Sequence, residues 1–165
     1  KDFEAEGKEL PNNLSQDVLE VMVEKHGRYG KKNNKGFYDY PETGKKKLWP
    51  ELSSIYKLND SQPSVDELKK RLLFIQALET AKCYEENVLT DVRDADIGAI
   101  LGWGMAPWTG GTLSYIDMIG IKDFVAEADN LAQKYGERFS PCKLLRDMAQ
   151  KNESFHPKGK SSQAA

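Results

Sequence analysis

The sequence is poor in the residues that build metal centres and nucleophilic sites. Its 165 residues hold two histidines and two cysteines. Cys83 and Cys142 lie far apart with no C-x-x-C spacing and no neighbouring ligand cluster, which argues against a zinc site and favours reduced thiols of a cytosolic or organelle interior. Ser114 and Ser140 have no histidine near them in sequence, and no metal ligand set is visible, so no metal is expected. Glycines never fall as G-x-G-x-x-G after a strand, and strands do not alternate with helices, which argues against a nucleotide-binding parallel sheet. No run approaches the ~20 apolar residues of a membrane span. No signal peptide is visible, and Lys1 is not a start methionine, so the chain is expected to be cut from something longer. With 24 basic against 26 acidic residues, the net charge is −2, which argues against a general nucleic-acid or membrane-surface role.

What is present suits one soluble helical body. The chain is 39% apolar and 30% charged, enough to bury a core. Residues 91–120 hold six of the thirteen glycines and two of the three tryptophans. They read as two short helices around a turn-rich crossing. Asp91 or Asp94 is expected to cap the first helix and Thr112 the second. Ile97, Ile100 and Leu101 are expected on the buried side of the first, and Leu113, Ile116 and Ile119 on that of the second. Trp103, Pro107 and Trp108 are expected to plug the crossing.

Around that stretch the helical pattern is regular. After a polar start ending in a Pro11-Asn12-Asn13 turn signal, Ser15 opens a helix to about His26. Ser64-Val65-Asp66-Glu67 is a capping box, and the helix it opens runs to about Glu86. From Leu72 to Tyr84 its apolar residues point in nearly every direction, which predicts a central helix buried on all sides. Glu79 falls on the stripe of Val65, Leu68, Leu72 and Ile75, where a carboxylate must be paired or hydrogen-bonded. It reads as a structural buried carboxylate accepting from amides of the glycine-rich crossing, or pairing with Arg71 or Arg93, more readily than as a general acid or base. Residues 121–135 form a clean amphipathic helix closed by Gly136. Ser140-Pro141 reads as an N-cap with proline at the first helical position. From Pro157 to Ala165 the composition predicts a disordered tail.

Residues 28–47 differ from the rest, with seven basic side chains against Asp39 and Glu42. Gly36 to Pro41 alternates as an extended segment does, and Glu42-Thr43-Gly44 is a turn. Lys31, Lys32 and Lys35 beside Phe37 and Tyr38 suit a phosphorylated, flat ligand such as an adenine nucleotide or coenzyme A. The same residues also suit a solvated loop pinned to the core by Phe37 and Tyr38, or an interdomain contact. A short helix is expected within 48–58. Residue n also matches n+126: Val18, Leu19, Met22, Val23 and Tyr29 face Leu144, Leu145, Met148, Ala149 and Phe155.

The segments DADIGAILGWGMAPWTGGTLSYIDMIG (94–120) and GKKNNKGFYDYP (30–41) resemble the C-terminal helical domain of the 3-hydroxyacyl-CoA dehydrogenase family. The likeness is to the second tandem copy in multifunctional fatty-acid oxidation proteins of the α-subunit type, and it covers most of residues 14–155. It implies an all-α fold, a helical bundle around one long buried helix with an extended N-terminal arm, similar to the C-terminal domain of 6-phosphogluconate dehydrogenase. It also explains the repeat. Residues 1–58 would be the tail of the first copy and linker, 59–156 the second copy, and 157–165 the tail.

The resemblance implies that the parent oxidises 3-hydroxyacyl-CoA to 3-ketoacyl-CoA in β-oxidation. NAD would sit in a separate nucleotide-binding domain, and enoyl-CoA hydratase activity on the same chain. The family's asparagine before a glutamate on the long helix falls on Leu78 and Glu79, so this copy is expected to be catalytically silent and to bind no cofactor itself. His26 and His156 are expected to face solvent. The implied partners are the NAD-binding and hydratase domains of the same chain, a second copy by self-association, and a thiolase subunit. The implied location is a bacterial cytoplasm or an organelle matrix. Other readings are a stand-alone helical interaction module and a small acyl-CoA-binding bundle.

Overall fold

The computed structural model describes residues 14–156, and the turn at Pro11-Asn12-Asn13 and the 157–165 tail lie outside them. The chain divides into two compact units between Gln62 and Pro63.

The first unit is small. Helix α1 (Leu14–Glu20) continues as a wider π turn over Val21–Lys25, where a regular helix was expected. A hairpin follows, pairing β1 (Tyr38–Asp39) with β2 (Lys47–Leu48) antiparallel, Tyr38 opposite Leu48. Gly44 turns the connection with φ +97°. The short helix α2 covers Leu52–Ile55. The unit is therefore a helix and a hairpin, where the resemblance implied an extended arm. The hairpin is not pinned by Phe37 and Tyr38, which are 38% and 36% exposed. Arg28 holds it instead: its buried guanidinium donates to the carbonyls of Gly36 (2.6 Å) and Tyr38 (3.4 Å), pairs with Asp39, and lies 4.2 Å over the buried Trp49 ring. A buried cation persists only when paired and hydrogen-bonded, and these partners meet that condition.

The second unit is all-α: α3 (Val65–Glu85), α4 (Val92–Trp103), α5 (Thr112–Ile119), α6 (Ile121–Tyr135) and α7 (Lys143–Lys151). Ser64 caps α3 by accepting from the Glu67 amide at 3.1 Å. The reciprocal half of the capping box is not made, because the Glu67 carboxylate turns to Lys134 Nζ (2.6 Å) and the Tyr135 hydroxyl on α6. Phe74, Ala77, Leu78 and Ala81 of α3 are buried, spaced as one helical face. Phe74 stacks on Phe124 of α6 at 4.3 Å between centroids, and Tyr115 of α5 meets its edge. Leu113 and Ile116 of α5, Leu131 of α6 and Leu145 of α7 complete the core.

Two burial expectations fail here. Helix α3 is not buried all round, since Val65, Leu68 and Leu72 are exposed. Helix α4 turns Ala95, Asp96 and Ala99 inward and leaves Ile97 and Leu101 outside. Small residues let the α4 backbone approach its neighbour closely, a gain that isoleucine at those positions would block.

Candidate functional site

The most densely bonded group of the second unit is Asp96 on α4, 4% exposed. One oxygen accepts from the Leu113 amide at 2.7 Å; the other accepts from the Ser114 amide at 3.1 Å and its hydroxyl at 2.6 Å. His156 Nε2 lies 2.8 Å from that second oxygen. Leu113 and Ser114 stand in the first turn of α5, whose free amides want an acceptor. The local candidate, Thr112, does not supply it. Its hydroxyl is fully buried and unpartnered, and the residue before α5 is Gly111, which has no side chain to cap with. Asp96 thus caps α5 from a neighbouring helix. The approach is so close that a Cβ on Gly111 would lie 2.5 Å from Asp96 Cα, and Gly111 sits at φ +119°.

This is the role expected of Glu79, and the assignment to Glu79 is wrong. Its carboxylate is 56% exposed and meets Lys82 Nζ at 2.8 Å on the same helix. The stripe of Val65, Leu68 and Leu72 on which it lies faces outward, so its position carries no burial cost. The D-A-D-I-G spacing was the available signal for Asp96: with Ala95 and Ala99 inward, Asp96 must be inward too.

Two more carboxylates act across elements. Glu85 at the end of α3 accepts from the Leu144 amide at 2.6 Å, in the first turn of α7. The N-cap of α7 is Cys142, two residues past the expected Ser140. Burial pushes the Cys142 thiol up, and the Glu85 charge adds to this against the pull of the Leu145 amide. Asp117 on α5 accepts from the Phe155 and His156 amides at 2.9 and 2.7 Å. His156 is therefore bound to Asp96 and not simply turned to solvent. His26 is exposed, its ring edge-on to Trp49. Asp91 does cap α4, accepting from the Arg93 amide at 2.8 Å, and the Arg93 side chain holds its carboxyl below the usual range.

Serine, histidine and aspartate meet here in an order unsuited to nucleophilic catalysis. A serine nucleophile needs the imidazole between hydroxyl and carboxylate, to take the hydroxyl proton. In this cluster the carboxylate stands in the middle and receives the serine hydrogen bond itself. The arrangement fastens α4, α5 and the segment at 155–156 together.

Trp103 and Trp108 do not plug the crossing. They are 58% and 65% exposed, Trp103 donating to Gln76 on α3 at 2.9 Å and Trp108 edge-on to Tyr115. They flank an open apolar band along α3. A groove of about 760 Å³ runs past Leu72, Leu73, Trp108 and Ile119; a second, sharing Leu72, passes Leu68, Ile75 and Phe139; a third, sharing Ile75, reaches Val88, Leu89 and Trp103.

In the first unit, Lys32, Phe37 and Tyr38 line one crevice with Tyr29, Tyr40 and Lys46, while Lys31 and Lys35 do not line it. Among the described residues no group of histidine, cysteine and carboxylate side chains could hold a metal ion, and no helix is long and apolar enough to cross a membrane. A scan against models of known protein families matches none.

Proposed function

We propose that this chain is the C-terminal helical part of a 3-hydroxyacyl-CoA dehydrogenase of fatty-acid β-oxidation, and that it serves there as a docking scaffold. The redox step, with NAD, would belong to a separate nucleotide-binding domain, and hydratase chemistry to another part of the parent. The observation that carries the docking reading is the open apolar band on α3, with Val65 65% and Leu72 64% exposed, and Trp108 of the crossing, 65% exposed, sharing a groove with Leu72. Contiguous apolar surface of this kind marks an interaction face, and exposed tryptophans are frequent anchors of such faces. A separate body of like helices, either a tandem copy or a second chain, is the partner that the resemblance suggests. Leu78, in the place of the family's asparagine, is fully buried in the core, which supports a silent copy.

Sedimentation velocity of the full chain tests the docking reading. Self-association rising with concentration is expected, and Leu72→Lys should abolish it while leaving the helical spectrum intact. A clean monomer at high concentration sinks it. The dehydrogenase reading is tested separately in the reading frame that encodes the chain. A strand–turn–helix carrying G-x-G-x-x-G upstream supports it, and its absence leaves a helical interaction module acting through the same band.

A further inference from the structure

The basic crevice of the first unit is not used by the docking reading, and its walls have a chemistry of their own. It encloses about 520 Å³, within the range of small-molecule sites. Its cations are Arg28, Lys32 and Lys46, and no carboxylate lines it. Arg28 is occupied by Asp39 and two carbonyls, but Lys32 has no hydrogen bond or ion pair among the described residues, and Lys46 has only the Tyr38 ring 4.6 Å from its Nζ. Two cations are therefore available to an anion. Beside them stand three exposed rings, Tyr29 (56%), Phe37 (38%) and Tyr38 (36%). Exposed rings next to ammonium groups that no carboxylate pairs match a ligand with a flat heterocycle at one end and phosphate at the other.

The backbone frame behind these groups is closed by hydrogen bonds. Gly30 and Lys35 exchange backbone hydrogen bonds at 2.7 and 3.0 Å. Asn33 donates to the Gly27 carbonyl at 2.7 Å and accepts from the Tyr29 amide at 3.1 Å. A Cβ on Gly36 would come within 2.9 Å of Gly30 Cα, so only glycine lets these two strands of chain meet.

We propose that this crevice binds a free adenine nucleotide, the base against Phe37 and Tyr38 and the phosphates on Lys32 and Lys46. The inference is independent of the dehydrogenase reading. Titration of the full chain with ADP, followed by calorimetry, tests it, with adenosine, ribose 5-phosphate and oligoadenylate as comparison ligands. Saturable ADP binding is expected, with adenosine and ribose 5-phosphate each weaker. The double variant K32E/K46E should bind ADP at least about tenfold more weakly, since two charge-assisted phosphate contacts are lost and replaced by repulsion. Lys143→Glu, in the second unit, should change nothing. Absence of saturable ADP binding overturns the proposal, as does equal affinity in the double variant. Tighter binding of oligoadenylate than of ADP overturns it too, assigning the crevice to RNA. Should the double variant lose its helical spectrum, the comparison of ADP with adenosine and ribose 5-phosphate on the unaltered chain decides the matter.

Discussion

Replacing Asp96 by alanine tests the architecture at its most connected point. The change leaves the Leu113 amide and the amide and hydroxyl of Ser114 without their acceptor, and removes the partner of His156. An orphaned buried donor costs about 1–3 kcal/mol, and loss of a helix N-cap about 0.5–2 kcal/mol. Ser114 is half-buried and recovers some hydrogen bonding from water, so a net loss of about 3–4 kcal/mol is expected. Against the ~5–15 kcal/mol of a whole domain, that is a large share. Asp96→Asn keeps the shape but turns an amide donor toward other donors, and about 1–2 kcal/mol should go. Glu79→Ala, exposed and paired only along its own helix, should stay within about 0.5 kcal/mol of the parent. The assay is urea unfolding in a Trp49→Phe background, where Trp103 and Trp108 report on the second unit alone. With a slope of about 2 kcal/mol per molar urea, Asp96→Ala should lower the midpoint by about 1.5–2 M. An Asp96→Ala midpoint equal to the parent's, or a Glu79→Ala loss as large as that of Asp96→Ala, refutes the reasoning.

Two further predictions use the same protein. Gly111→Ala must place a methyl group against Asp96 at φ +119° and should cost about 3 kcal/mol or more in the same assay, whereas Gly98→Ala, in the interior of α4 with open space around it, should gain about 0.5–1 kcal/mol; equal effects would refute the close approach. In a Cys83→Ser background, alkylation of Cys142 should accelerate only above the pH at which an ordinary thiol reacts, because burial raises its pKa. The raised folded-state value also means that its contribution to stability is fully present below the unfolded thiol's pKa and is lost as pH climbs through the folded one. An alkylation profile at or below that of a free thiol would remove the basis of both statements.

Helices that announce themselves by local chemistry were readable in the sequence. Ser64 before an apolar-periodic run gives the start of α3, and the face of Ile121, Phe124, Ala128 and Leu131 gives α6. The hairpin was readable as an extended segment and a turn at Gly44. Orientation was harder. Ile97 and Leu101 look like a core face, but α4 packs on Ala95 and Ala99, and hydrophobicity does not encode that choice when close backbone approach competes with side-chain volume. The aromatic crossing misled for a related reason: Trp103 and Trp108 bury only part of their surface and leave the rest exposed. Of the candidate crevice, Lys32, Phe37 and Tyr38 were legible from composition. Tyr29 and Lys46 come to it only through the turn at Gly30 and the return of the hairpin, which no local pattern specifies.

The two misplaced caps, at α5 and α7, and the Asp117 contact to residues 155–156 share one cause. Asp96, Glu85 and Asp117 each supply acceptors to amides between 17 and 59 positions away in sequence. A cap inside its own helix stabilises that helix in isolation, and local pattern finds it. A cap donated by another helix exists only once the two have docked, so it contributes to the assembled unit and nothing to its parts. Helix α5, eight residues long, is too short to persist alone in water and depends on Asp96 for its first turn. Formation of α5 is then coupled to the docking of α4, and that of α7 to the end of α3. The second unit should consequently unfold as one cooperative body, its Trp fluorescence and helical signals lost together. The outward face of α3 is spared this work, since none of the three carboxylates lies on it. That division, with polar bonds closing the inside and apolar side chains left on the outside, is what leaves the band from Val65 to Leu72 exposed.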